Sequence, residues 1–257
     1  MMSATSDAET RKRLRDEFIE ARGYWNSFWD SLLDLDPEFF EAYTRFSSVP
    51  WRHGPLDPKI KEFVYIAVDA AATHLYVPGI RQHVKRALEL GATAAEIMEV
   101  LELTATLGIH ACNIGVPILV EELEAAGRPV SRELSERQEE IKTEFTEKRG
   151  YWNPFWDEIL WLDPDFFAAY TQFSSVPWVS GTLEPKVKEL IYTAFDVSAT
   201  HLYVSGLRQH IRNALDYGAT REEVLEVIEL ASVIGIHSCT VGVPILVEEL
   251  AAGGAPA

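Results

Sequence analysis

The chain has 257 residues, 47% of them apolar, with 23 Lys and Arg against 40 Asp and Glu and a formal charge of −17. That is enough apolar chain for one large domain or two compact ones, and the acidic balance argues against nucleic acid or an anionic membrane surface as partner, since either needs a basic patch. There is no uninterrupted apolar run of about 18 residues, the start MMSATSDAETRKRLRDEF lacks the apolar stretch of an export signal, and Cys112 and Cys239 form neither a disulfide framework nor a CxxC pair, so a cytoplasmic protein without a membrane span is expected.

In chain order, residues 9–22 read as a charged helix, followed by Tyr24, Trp25, Phe28 and Trp29, aromatics whose spacing suits a core or a subunit interface. Asp36-Pro37 is a helix start, an N-cap carboxylate with proline at the first helical position, leading into Phe39-Phe40. Asp57-Pro58 repeats the signal before a helix over 59–72, where Ile60, Phe63, Val64, Ala67 and Val68 make one apolar face. Glu62 and Asp69, seven residues apart, lie on nearly one side of that helix. Next comes the polar stretch Thr73-His74-Leu75-Tyr76-Val77-Pro78-Gly79-Ile80-Arg81-Gln82-His83. Gly91-Ala92-Thr93 ends one helix and caps the next, with Glu96 completing a capping box. A last helix runs from about Ala94 to Leu123, broken near Gly108 or Gly115.

The second half repeats the first. A shift of 127 residues aligns 24–123 with 151–250, with 63 identities in 100 positions and no gap. This is a tandem duplication whose period is too long for a solenoid unit, so each copy is expected to be a domain with its own buried face. The boundaries drawn are 1–125 and 126–257; the charged segment 124–149 supplies the linker and the second copy's N-terminal helix, 136–149 matching 9–22. With no alternating strand of convincing length, the predicted fold class is all-α.

Six of the seven histidines fall in equivalent pairs: His74 with His201, His83 with His210, His110 with His237. Between the copies, the stretch 73–83 changes only Pro78 to Ser205 and Ile80 to Leu207. A helix starting near Pro78 places Arg81 and His83, and likewise Arg208 and His210, close to a first turn that favours an anion. A partly buried carboxylate beside a histidine is a proton-transfer pair, which makes Glu62, His83, Glu189 and His210 the candidate catalytic residues. Arg81 and Arg208 are the candidate holders of a carboxylate or enolate oxygen, and His74, Tyr76, His201 and Tyr203 the further substrate-binding donors. His110 and His237, in Gly-Ile-His-x-Cys on the last helix, read as packing residues; a metal site made of His-x-Cys from both copies is weakly signalled, because that spacing points the two groups to different sides of a helix. With no cysteine pair, Gly-rich phosphate loop or clear metal-ligand set, neither cofactor nor metal is expected.

Lys61-Glu62, the stretch 73–83, Ala87-Leu88 through Gly91-Ala92-Thr93, and Glu96 resemble the carboxymuconolactone decarboxylase family of the alkylhydroperoxidase D-like superfamily, over 56–123 and again 183–250. The resemblance implies two tandem helical domains of that fold and a homo-oligomer. Hexamers of the single-domain form are common there, so a tandem chain would assemble as a trimer with pseudo-sixfold arrangement. It also implies a proton-relay glutamate at Glu62 and Glu189 and the active histidine at His83 and His210. The peroxidase branch needs a CxxC; here the matching residues are His74-Leu75-Tyr76-Val77 and His201-Leu202-Tyr203-Val204, which disfavours thiol peroxidase chemistry. The expected function is a cofactor-independent acid/base enzyme of decarboxylase, lyase or isomerase type acting on a small organic acid or lactone. The alternatives are a non-catalytic ligand-binding or assembly protein on the same fold, or a metal-dependent enzyme using the repeated histidines.

Overall fold

The structure, a computed structural model, describes residues 4–253. Among these, every regular element is helical. The first copy contains α1 (Ala4–Arg22), α2 (Asp30–Leu35), α3 (Pro37–His53), α4 (Pro58–Ala70), α5 (Val77–Glu89), α6 (Ala94–Ala105) and α7 (His110–Ala125). The second repeats them as α8 (Glu136–Arg149), α9 (Asp157–Leu162), α10 (Pro164–Val179), α11 (Pro185–Val197), α12 (Val204–Asp216), α13 (Arg221–Ser232) and α14 (His237–Ala252).

Local chemistry explains the boundaries. The Asp36 and Asp163 carboxylates accept from the Phe39 and Phe166 amides, each at 2.9 Å, and Asp57 accepts from Lys59 N at 2.8 Å. Glu184 precedes Pro185 in the same way but its longer side chain makes no capping hydrogen bond. The capping boxes of Thr93 with Glu96 and of its repeat equivalent, Thr220 with Glu223, are formed, and Ser135 with Gln138 makes another at the start of α8. The break before α7 is the 3₁₀ turn Thr106–Ile109, which contains Gly108 and not Gly115.

The cores do not respect the repeat boundary. In α4, residues Lys61 to Asp69 are all buried, so one apolar stripe cannot describe it and helices of one copy cannot cover it. It is covered by α11 from the other copy. One cluster joins Phe63, Ile66 and Val100 to Val187, Ile191 and Phe195; another joins Val64 and Val68 to Leu190, Val227 and Leu230. At the periphery the two copies exchange their last helices. Ile236 and Val243 pack with Phe18, Trp29 and Phe40, while Ile109 and Val116 pack with Phe145, Trp156 and Phe167. The expectation of a separate buried face per copy is therefore corrected: each of the four clusters contains residues from both. Two buried ion pairs cross the same seam, Lys61 with Glu226 at 2.6 Å and Lys188 with Glu99 at 3.0 Å.

By length and composition alone, the continuous helical stretches Ala94–Ala125 and Arg221–Ala252 are apolar enough to cross a membrane, a property that a search for uninterrupted apolar runs passes over. In the fold they bury Glu99, His110 and Glu226 and hold His237 mostly buried, while Ile114, Ile118, Val241 and Ile245 are exposed. Cys112 and Cys239 are free and half-buried, packed at the edges of the peripheral clusters.

Candidate active site

The turn between α4 and α5 organises the site. His74 N and Leu75 N both bond to Ala71 O, and Tyr76 N returns to Asp69 O at 2.9 Å. Closing it puts Leu75 in the left-handed region at φ 49°, and Leu202 repeats this at 51°. Such strain in a non-glycine residue persists only where the surroundings impose it; here it turns the buried Tyr76 and the half-buried His74 inward while Leu75 is exposed. Gly79, at the start of α5, leaves room for Asp69, since a Cβ there would lie 1.9 Å from Oδ2.

One turn further along α5's inner face, His83 Nδ1 lies 2.6 Å from Glu62 Oε2, and both residues are buried. The His83 ring stacks on Tyr65, centroids 4.5 Å apart, and meets the edge of Tyr24. The second copy reproduces the dyad, with His210 Nδ1 2.6 Å from Glu189 Oε2 and Tyr192 stacked at 4.4 Å. The two differ at one position: Asn213 donates to Glu189 Oε1 at 3.1 Å, whereas its counterpart Arg86 pairs with Glu89 and leaves Glu62 Oε1 without a hydrogen bond.

A cavity of ≈ 20 Å³, room for a water molecule, lies among Arg22, Tyr24, Tyr65, Tyr76, His83 and His237. Arg22 is buried with Nε and Nη1 unpaired. Burial acts to lower its pKa, but the facing Tyr65, Tyr24, Tyr43 and Glu62 outweigh that and raise it, so it stays cationic. Its counterpart Arg149 donates to Ser174 O and Tyr192 Oη, both at 3.3 Å.

A second cluster adjoins the dyad. His74 Nε2 is 2.8 Å from His237 Nδ1, Tyr76 stacks on His237 at 3.8 Å, and the Tyr76 and Thr240 hydroxyls are 2.6 Å apart. The other copy pairs His110 Nδ1 with His201 Nε2 at 2.7 Å, with Tyr203 stacked on His110 at 3.9 Å. Burial, opposed by His83, pushes Asp69 up to about 7, and burial, opposed by His210 and helped by Glu189, does the same to Asp196. Burial first, then the neighbouring histidines, lowers His237 and His110 to about 3.

The structure thus brings together Glu62, His83, His74 and Tyr76, and separately Glu189, His210, His201 and Tyr203. It does not bring in Arg81 or Arg208, which are exposed. Gly79, Gln82, His83 and Ala87 mark the buried face of α5, and Arg81 is two residues from both Gly79 and His83, on the other side of the helix. The buried arginines are Arg22 and Arg149. Both arginine pairs recur at the 127-residue spacing, so the repeat could not separate them. His110 and His237, read as packing residues, do pack, each stacked on a tyrosine of the other copy, and each also lies within hydrogen-bond distance of that copy's histidine, His201 and His74. Asp69 and Asp196 were visible as helix-face neighbours of the glutamates, with no role attached.

This arrangement of the α4–α5 turn and its dyad can be set beside known proteins. A model of the carboxymuconolactone decarboxylase family matches residues 37–111 and 164–236. The chain belongs to the carboxymuconolactone decarboxylase family. Both family segments contain a complete Glu–His dyad. A crystal structure of a protein from Burkholderia xenovorans LB400, provisionally named a gamma-carboxymuconolactone decarboxylase subunit, is similar to the chain at 52% identity and a TM-score of 0.92, over 95% of this chain and 98% of that one. No curated protein matches the chain.

Proposed function

We propose that this family member is a lyase of decarboxylase type acting on a small carboxylated lactone or related organic acid, with the Glu62–His83 and Glu189–His210 dyads as its acid/base groups. The observation that carries the reading is the repeated 2.6 Å contact between a buried glutamate and a buried histidine. Glu62 fixes Nδ1, which leaves Nε2 to exchange a proton with a ligand and stabilises the imidazolium when it forms. Arg22 supplies a buried positive charge on the same cavity for a second carboxylate or a lactone oxygen. In the reaction, the bond from carbon to the departing carboxylate breaks, CO₂ leaves, and the electron pair passes into the conjugated carbonyl as an enolate. Protonation at carbon by the imidazolium completes the step, and the histidine regains its proton from water. Positioned proton transfer of this kind is worth about 10²–10⁴-fold in rate. A cavity of ≈ 20 Å³ holds no such substrate, so binding must be accompanied by movement of the aromatic side chains around it.

The proposal includes a homo-oligomer, a trimer with pseudo-sixfold arrangement. Phe46 and Val49 on α3, Phe173 and Val176 on α10, Ile118 on α7 and Ile245 on α14 are exposed apolar residues at equivalent positions of the two copies, a surface that suits association.

The test is CO₂ release from γ-carboxymuconolactone and a panel of carboxylated lactones. Turnover by the native chain and its loss in the His83→Ala, His210→Ala double variant are expected. Tight binding without turnover across the panel would favour a ligand-binding protein, and full activity in the double variant would remove the dyads from the mechanism.

A further inference from the structure

Beside each dyad, three potential ligand atoms converge from both copies: Asp69, His74 and His237 in one place, Asp196, His201 and His110 in the other, with the atoms of each group all within 4.8 Å of one another. In the first group His237 Nδ1 is 3.7 Å and His74 Nε2 3.9 Å from Asp69 Oδ1, and the two imidazole nitrogens are 2.8 Å apart. One face of a tetrahedron around zinc, with ligands at about 2.0–2.2 Å, has edges of about 3.3–3.6 Å; the observed sides bracket that range. In the second group His110 Nδ1 lies 3.7 Å from Asp196 Oδ1 and 2.7 Å from His201 Nε2.

An independent observation concerns the carboxylates. Asp69 and Asp196 are wholly buried, and none of their four oxygens accepts a hydrogen bond from the protein. A buried carboxylate left this way is costly, and such groups in folded proteins are paired, hydrogen-bonded or metal-bound. The histidine pair leans toward that carboxylate, and the flanking packing holds it: Tyr76 and Tyr203 lie flat on His237 and His110, the kind of support that fixes ligand orientation.

We infer that these two clusters are binding sites for a divalent first-row transition ion of the zinc class, each assembled across the seam between the copies from two histidines and one aspartate. Three protein ligands leave further coordination positions open. The first cluster adjoins the cavity, which His237 lines together with Tyr76 and His83, whose Nε2 is 4.0 Å from Asp69 Oδ2. The inference does not depend on the decarboxylase reading, because metal uptake is measured without substrate.

The experiment titrates untagged, chelator-stripped full-length protein with Co²⁺, following d–d absorption and bound metal by elemental analysis, with Zn²⁺ as competitor. Two equivalents per chain are expected, displaced by Zn²⁺. Asp69→Asn should bring this to one and Asp69→Asn with Asp196→Asn to none, with helical circular dichroism unchanged. If the aspartate variants do not fold, His74→Gln with His201→Gln, at half-buried positions, carries the same expectation. Absence of stoichiometric Co²⁺ in the native chain, or two equivalents retained in the folded double variant, overturns the inference. His83→Ala with His210→Ala separates the two readings: it should abolish turnover and keep both metals, so loss of one readout does not decide the other.

Discussion

Lys61, the residue before the dyad glutamate, bridges the two copies: its Nζ lies 2.6 Å from Glu226 Oε1 and donates to Pro50 O of its own copy at 2.7 Å, both side chains are buried, and Glu226 also accepts from Leu56 N at 2.8 Å. Adjacent residues on α4 therefore do different work, Lys61 tying the copies together and Glu62 holding the histidine. Lys188 and Glu99 repeat the arrangement, with Glu99 accepting from Thr182 N and Leu183 N. Removing one partner of a buried pair leaves an uncompensated charge, so Lys61→Ala should destabilise the fold by about 3–5 kcal/mol. Lys61→Met combined with Glu226→Gln should recover part of that loss. Urea unfolding of the single and double variants measures it; a loss below about 0.5 kcal/mol, the scale of a surface substitution, would mean that the pair does not tie the copies together.

The exposure of Arg81 and Arg208 against the burial of Arg22 and Arg149 predicts opposite outcomes for two pairs of substitutions. Arg81→Ala with Arg208→Ala should leave kcat/KM near the native value. Arg22→Lys with Arg149→Lys keeps the charge but loses the planar fork, and a lost charged hydrogen bond of about 1.5–3 kcal/mol corresponds to a drop of about 10–160-fold. Steady-state kinetics on folded protein decide it. A collapse of activity in the Arg81, Arg208 variant would restore those residues to the site.

Burial raises the Tyr65 phenol, partly offset by Arg22, to about 12, and raises Tyr203 to about 12 as well. In the unfolded chain both ionise near 10. Between about 10 and 12 the unfolded state therefore holds fewer protons than the folded one, and stability falls as pH rises through that window. Phenolate absorbance should appear together with unfolding in this range. Ionisation of every tyrosine near 10 with the circular dichroism unchanged would contradict the burial.

Sedimentation equilibrium tests the assembly: the proposal expects three 28.9 kDa chains per particle. Replacing the exposed Ile118 and Ile245 by Asp should dissociate it while preserving helix content. A native chain that sediments as a monomer would remove the trimer.

Much of the helical framework was legible because it is set by short-range chemistry. The Asp-Pro starts at 36 and 57, the Thr93 and Thr220 capping boxes and the match of 136–149 to 9–22 all involve residues within a few positions of each other, or a direct comparison of copies. The dyad was legible for a related reason. Glu62 lies on the nearly all-buried α4 and His83 on the helix that the short turn folds back against it, so their meeting needs only one hairpin of helices.

The sequence by itself therefore determined the duplication, the all-helical class and the pairing of Glu62 with His83. Tertiary structure decided the rest: that α4 and α11 cover each other, that Lys61 answers Glu226, that Arg22 and not Arg81 faces the cavity, and that His237 joins Asp69 and His74. The physical reason is range. A cap or a helical turn is fixed by groups a few residues apart, whereas His74 and His237 are separated by 163 positions, and only an α4 that is buried on nearly every side makes the copies interleave and brings those groups within hydrogen-bonding distance.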